Sequence, residues 1–215
     1  MELKGCIFDL DGVIVDTARY HFLAWKRLAN EMGFTFTEHH NEALKGVSRM
    51  ASLEILLQVG GINKSEEEKI ELATRKNNWY IEYISHMSPA EILPGSVDLL
   101  KNLRKEGILT AIGSASRNAG MILDRIQINS LFDVIIDGNK IHSAKPDPEV
   151  FVKGAVEMGL AAENCVVFED AQAGIEAALA AGMKCIGVGS PVNLGRAHMV
   201  IHDLKSITVQ QIRNL

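Results

Sequence analysis

The 215 residues, 47% hydrophobic and 23% charged, suit one substantial buried core or a core with a smaller companion domain. A formal net charge of −5 argues against a polyanion such as nucleic acid as partner, so a small anion would need basic residues clustered locally. No apolar run approaches membrane-span length, Asp9 and Asp11 interrupt any signal-peptide pattern, and Cys6, Cys165 and Cys185 lack metal-ligand spacing; buried thiols in a reducing cytoplasm, with no membrane partner, are expected.

Residues 5–8 read as a short buried strand that delivers Asp9-Leu10-Asp11-Gly12 at its carboxyl end. In an extended chain residues i and i+2 project to the same side, so Asp9 and Asp11 can divide one task. An ionised carboxylate attacks an electrophile while a protonated neighbour donates to the leaving group. Taken alone, Asp-Gly is also a common turn dipeptide.

Across 17–87 strand signals are few. The patterns are helical over 20–32, 51–57 and 65–86, and Ser65-Glu66-Glu67-Glu68 has the form of a capping box. This predicts a helical domain at 17–87, inserted into a second domain made of 1–16 and 88–215. Ser88-Pro89 and Leu93-Pro94-Gly95 suit the hinge between them.

A helix is predicted over 96–106, with Val97, Leu100 and Leu103 on one face and Gly107 as its stop. Strands follow at 108–112, 134–136, 165–168 and 184–188, with a weaker one at 199–201; 173–181 reads as a helix ending at Gly182. The strands are apolar nearly throughout, as expected of parallel strands buried on both faces. Their alternation with helices predicts an α/β fold, a Rossmann-like doubly wound parallel sheet with right-handed crossovers.

Open α/β sheets place ligands at the carboxyl ends of their strands. Besides Asp9 and Asp11, two features fall there. Gly113-Ser114-Ala115-Ser116-Arg117-Asn118 offers hydroxyls and backbone N–H groups for a phosphate, or an ordinary helix cap. Glu169-Asp170 places adjacent carboxylates whose repulsion a cation such as magnesium would relieve, or forms a surface acidic turn. Lys145-Pro146-Asp147-Pro148 adds a cation in a rigid turn, although a solvated lysine is the commoner meaning of such a stretch. In combination the four suit phosphoryl transfer.

The ordered set Asp9-Leu10-Asp11-Gly12, Ser114, Lys145 and Glu169-Asp170 resembles the four motifs of the haloacid dehalogenase-like superfamily, and the insertion after the first motif resembles its helical cap class. The resemblance implies that Asp9 is the nucleophile, carrying the phosphoryl group as an aspartyl phosphate, and Asp11 the general acid/base. It implies a Mg2+ site formed by Asp9, the main-chain carbonyl of Asp11, Glu169 and Asp170, with Ser114 and Lys145 holding the transferring phosphate. It also implies that strands one, two and four lie side by side.

More narrowly, Tyr20-His21-Phe22-Leu23-Ala24-Trp25, Leu44-Lys45-Gly46-Val47-Ser48-Arg49 and Ser114-Ala115-Ser116 resemble the sugar-phosphate mutases of that superfamily. The activity implied is interconversion of β-D-glucose 1-phosphate and D-glucose 6-phosphate through β-glucose 1,6-bisphosphate, which also serves as activator. A mutase must hold a bisphosphate by both ends. Arg49, with Ser116, Arg117 and Asn118, is a candidate distal clamp, since a planar guanidinium can engage two phosphate oxygens at once. The resemblance leads one to expect lysine more often where Arg117 stands.

His21 and Trp25 lie four apart on one helix face, where Trp25 alone would read as core packing. The resemblance places His21 near Asp11, Trp25 in the sugar pocket and Lys76 on substrate or Asp11, with Ser52, Ala115 and the backbone of Gly46, Val47 and Ser48 as further contacts. Two alternatives share these residues: a magnesium-dependent sugar-phosphate phosphatase, and a phosphosugar-binding module without turnover. Nothing in the sequence demands more than a monomer.

Overall fold

The computed structural model describes residues 2–44 and 47–215. In chain order the elements are β1 (Gly5–Phe8), α1 (Ala18–Glu31), α2 (Glu38–Glu42), α3 (Arg49–Gly60), α4 (Glu66–Ile84), α5 (Ser96–Lys105), β2 (Leu109–Gly113), α6 (Ala119–Ile126), β3 (Val134–Ile136), α7 (Glu149–Glu157), β4 (Cys165–Glu169), α8 (Gln172–Ala180), β5 (Lys184–Val188), α9 (Pro191–Leu194), β6 (Met199–Ile201) and α10 (Val209–Arg213). All strand pairings are parallel, in the order β3-β2-β1-β4-β5-β6. This is the doubly wound α/β sheet expected from the alternating pattern.

The first strand is central, and that explains its composition. All four residues of β1 are buried, Cys6 and Phe8 in the core on one face of the sheet and Ile7 in the core on the other. Phe8 stacks on Phe168 at 4.6 Å between ring centroids, adding a face-to-face aromatic contact to the hydrophobic burial. In register, Phe8 stands opposite both Ile112 and Phe168. The residues just past these three positions therefore emerge along one edge. The Asp9 N–H continues the ladder to the Phe168 carbonyl at 2.9 Å.

Helices α1 to α4, all between β1 and β2, surround a third core built on Trp25, Leu28, Phe36, Leu53 and Leu56. Helix α4 opens with the expected capping box: the Ser65 hydroxyl accepts from the Glu68 N–H, and the Glu68 carboxylate accepts from the Ser65 N–H. Helix α3 begins two residues earlier than the apolar pattern predicts, because Ser48 caps it by accepting from the Ala51 N–H at 3.2 Å. Helix α2 has no counterpart among the predicted elements. Among the described residues, no helix is long and apolar enough to cross a membrane.

The two chain segments joining this helical insertion to the sheet run side by side. Val15 bridges Ile92, and the Leu93 N–H donates to the Ile14 carbonyl at 2.9 Å. Tyr20 and Arg19, at the start of α1, both bind the Glu91 carboxylate. Gly95, just beyond, has φ +90° and lies against the backbone of Leu204 and Lys205 so closely that a Cβ would sit 2.3 Å from the Lys205 nitrogen. Glycine is required there on both counts.

Candidate active site

The central strand ends in Asp9, buried at 6% exposure, with Leu10 fully buried and Asp11 half-buried beyond it. Asp11 is fixed from the start of the insertion, where the Thr17 hydroxyl donates to its carboxylate. Gly12 has φ +85°, and a Cβ there would fall 2.2 Å from an Asp170 carboxylate oxygen. The glycine thus allows the first acidic turn and the last one to touch. Asp9, Glu169 and Asp170 each present a carboxylate oxygen within 4.8 Å of the other two.

Lys145 sits behind Asp9 rather than in front of it. Its ammonium is fully buried, contacts the Asp9 carboxylate, and lies 2.7 Å from Glu169 Oε2 and 4.7 Å from the centre of the Phe151 ring. Burial alone would lower the ammonium pKa, but the two carboxylates reverse this and hold it above the ordinary lysine value. The loop that delivers Lys145 is pinned by Glu149, whose carboxylate accepts from the His142 and Ser143 N–H groups at 2.8 and 2.7 Å.

One lysine cannot balance this many carboxylates. Burial first, then the charge of Asp9, raises Glu169 to about 7, although Lys145 and the Ala171 N–H pull it down. Burial first, then Asp9, likewise raises Asp11 to about 7. An acid/base with such a pKa can both take and give a proton near neutrality. The surplus of oxygen donors fits a hard divalent cation, which takes carboxylate oxygens and would return Glu169 to its ionised form.

The second strand end is a tightly braced loop. Ser114 is buried, its N–H donating to the Ile136 carbonyl, and its hydroxyl accepts from the Ser116 N–H at 3.1 Å. The Ser116 hydroxyl in turn accepts from the Asn118 N–H at 3.2 Å. From beneath, the Gly138 N–H donates to the Ser116 carbonyl, and the Asn139 amide donates to the Arg117 carbonyl at 2.9 Å. A Cβ on Gly138 would lie 2.4 Å from the Ala115 carbonyl, so glycine sets how closely these loops approach.

Between the helical insertion and the sheet lies a cavity of about 510 Å³. Asp9, Asp11, Ser114 and Asp170 line its floor. Ala115, Ser116, Arg117 and Asn118 form one wall, while His21 and Trp25 of α1 and Lys76 of α4 descend from above. Val47, Ser48, Arg49 and Ser52 also line it. Gly46 lies outside the described residues. Lys145 and Glu169 do not line the cavity; Lys145 holds Asp9 and is itself held by Glu169. Residues the sequence reading did not single out also line it, among them Asn41, Thr74, Asn77 and His142. Asn77 and Thr74 lie within one turn of Lys76 and could have been found from that spacing.

The electrostatics of the roof favour an anionic occupant. Lys76, 2% exposed, shares a hydrogen bond with His21 Nδ1 at 3.0 Å and lies over the rings of Trp25 and Tyr80 at 4.5 and 4.7 Å. Burial and then Arg49 push its pKa well below the usual lysine value, against the pull of Asp11. Burial and then Arg117 lower Arg49 as well. Arg49, on α3, and Arg117, in the loop before α6, both line the cavity, and an anion bound there would relieve the repulsion between their charges.

Comparison with known proteins agrees with this geometry. The profile of the haloacid dehalogenase-like hydrolases matches residues 6–188. The β-phosphoglucomutase of Bacillus subtilis is 42% identical over 97% of this chain and 93% of its own. A crystal structure of β-phosphoglucomutase from Clostridium difficile superposes with a TM-score of 0.94 and 40% identity, covering 99% of this chain and 96% of that one. A phosphorylated carbohydrates phosphatase from Thermotoga maritima is 30% identical over 99% of this chain and 98% of its own. With motif order, parallel sheet and inserted helices in agreement, the chain belongs to the haloacid dehalogenase-like hydrolase family.

Proposed function

We propose that this protein is a β-phosphoglucomutase, interconverting β-D-glucose 1-phosphate and D-glucose 6-phosphate. The observation that carries the proposal is one cavity lined both by the acidic strand end and by a group of basic and amide side chains. Asp9, Asp11 and Ser114 line it together with Arg49, Ser116, Arg117 and Asn118; the first set would serve as the reacting end and the second as a distal phosphate clamp. A phosphatase needs the first alone, because water can take the phosphoryl group from any small substrate. Two ends suit a bisphosphate held while either phosphate is transferred.

In this reading Asp9 attacks phosphorus and becomes an aspartyl phosphate. Asp11 removes the proton from the accepting sugar hydroxyl and returns it to the departing one after the β-glucose 1,6-bisphosphate turns over. Ser114 orients the phosphoryl oxygens. Lys145 reaches the transferring group through Asp9, holding the carboxylate that attacks. Asp9, Glu169, Asp170 and the Asp11 carbonyl would hold Mg2+, which supplies positive charge to the transferring phosphoryl group. Trp25, Ser52 and the backbone of Val47 and Ser48 would shape the sugar site.

Residues 17–87 act as a cap on the domain formed by 1–16 and 88–215. Its closure excludes water, which would otherwise hydrolyse the aspartyl phosphate before a sugar hydroxyl arrives. The setting proposed is the cytoplasm, with small sugar phosphates as the partners of a monomer; the buried thiols of Cys6, Cys165 and Cys185 accord with it.

Phosphorus NMR tests the proposal on β-glucose 1-phosphate with magnesium and a catalytic amount of the 1,6-bisphosphate. Net conversion to glucose 6-phosphate with little inorganic phosphate is expected. Stoichiometric phosphate release would overturn the mutase reading in favour of a sugar-phosphate phosphatase.

A further inference from the structure

Asn77 and Asn118 meet across the cavity, one on α4 of the insertion and the other at the start of α6 in the sheet domain. The Asn118 side-chain amide donates to the Asn77 side-chain carbonyl at 3.1 Å. Both residues line the cavity and both are half-buried. Asn118 is already anchored through its backbone, where its N–H donates to Ser116 Oγ. Its side chain remains free to rotate or to flip its amide end for end, and the contact with Asn77 removes that freedom.

We propose that Asn77 is a positioning residue for the distal phosphate clamp, a role that rests on the bisphosphate reading of the cavity. An asparagine amide has two N–H donors and one carbonyl acceptor. With one N–H committed to Asn77, the second is fixed in direction and presented with Arg117 and Ser116. Were the amide flipped, Asn118 would offer its carbonyl oxygen, which repels a phosphate. With Asn77 presenting its carbonyl, as it does here, Asn118 keeps its donor edge in place, and this contact exists only when the insertion is seated on the sheet domain. Its neighbour Lys76 turns towards His21, Trp25 and Tyr80. One turn of α4 therefore serves both ends of the cavity.

The test compares Asn77→Ala, Asn118→Ala and the double variant with two phosphoryl donors. β-Glucose 1,6-bisphosphate engages both ends of the site, whereas acetyl phosphate has no distal phosphate and reports the reacting end alone. The KM for the bisphosphate is expected to rise about three- to tenfold in Asn77→Ala, the range for one lost hydrogen bond. The loss with acetyl phosphate should be smaller by at least about threefold. In the Asn118→Ala background, Asn77→Ala should add no further rise, since its effect passes through that side chain.

Equal losses with both donors, an unchanged KM for the bisphosphate, or independent multiplying losses would each overturn the proposal. Alanine is the stronger helix former, so the variant is expected to fold, and thermal melting checks it. Failure of the mutase reading has a separate signature: the unaltered protein would hydrolyse the bisphosphate without isomerising a monophosphate. The Asn77 comparison would then be read on the KM of that hydrolysis, with the same criteria.

Discussion

Lys76 Nζ lies 3.0 Å from His21 Nδ1, too close for an ammonium and an imidazolium to coexist there without strong repulsion. Burial, then Lys76, then Arg49 hold the His21 pKa well below 6.5. The unfolded chain binds a proton at this histidine below pH 6.5, and the native state refuses it. Stability conferred by His21 is therefore complete above pH 6.5 and falls with decreasing pH, by up to about 1.4 kcal/mol per unit, until the native pKa is reached. His21→Gln should flatten the acid limb between pH 5 and 6.5. Urea midpoints at pH 5, 6 and 7 provide the check; parallel curves for the two proteins would refute the assignment.

Removing the buried cation at the base of the site should be costly. Lys145→Met keeps much of the side-chain volume but leaves Asp9 and Glu169 buried together without their ammonium. A loss of about 3–5 kcal/mol is expected from breaking such a cluster at one partner. Because the surplus is negative charge, millimolar magnesium should recover part of the loss in the variant and contribute less to the parent. Denaturant unfolding with and without magnesium decides it, and the absence of any magnesium dependence in either protein would count against the metal site.

Two glycine substitutions should act in opposite directions. Gly120 lies in α6 with open space where a Cβ would project, so Gly120→Ala should raise stability by about 0.5–1 kcal/mol. Gly174 lies in α8, where a Cβ would fall 2.0 Å from the Glu169 carboxyl group. Gly174→Ala should lose stability despite its better helix propensity. It should also raise the magnesium concentration for half-maximal activity, on the order of tenfold, by displacing that carboxylate. A Gly174→Ala protein with both quantities unchanged would remove Glu169 from the metal site.

The strands and motifs were legible because each is local. An unbroken apolar run such as 165–168 has one stable use in this chain, and a carboxylate placed just after it must emerge at the sheet edge. Strands β2 and β4 extend one residue beyond their predicted ends because pairing continues through Gly113 and Glu169. Helix α2 was illegible for the converse reason: five residues give no periodicity, and its existence rests on the Thr37–His40 capping box. Ser48 reads as a site residue, yet its hydroxyl also serves as the cap that starts α3. The placement of Lys145 against Asp9 depends on how the Glu149-pinned loop approaches the sheet, which no run of adjacent residues encodes. Asn77 is legible only through its neighbour Lys76, since its own hydrogen-bond partner is forty-one positions away.

The central place of β1 has a consequence for how the molecule is made. Gly5 pairs with Cys165, so the strand bearing the nucleophile cannot acquire both neighbours until some 160 further residues have been synthesised. The helices of 17–87 draw on contacts close in sequence and can organise while still near the ribosome, whereas β1 must wait for its distant partner. During that interval Ile7 and Phe8 are exposed to other chains. Chaperone dependence and slow refolding should therefore follow from the sheet order itself, independently of the chemistry the finished edge supports.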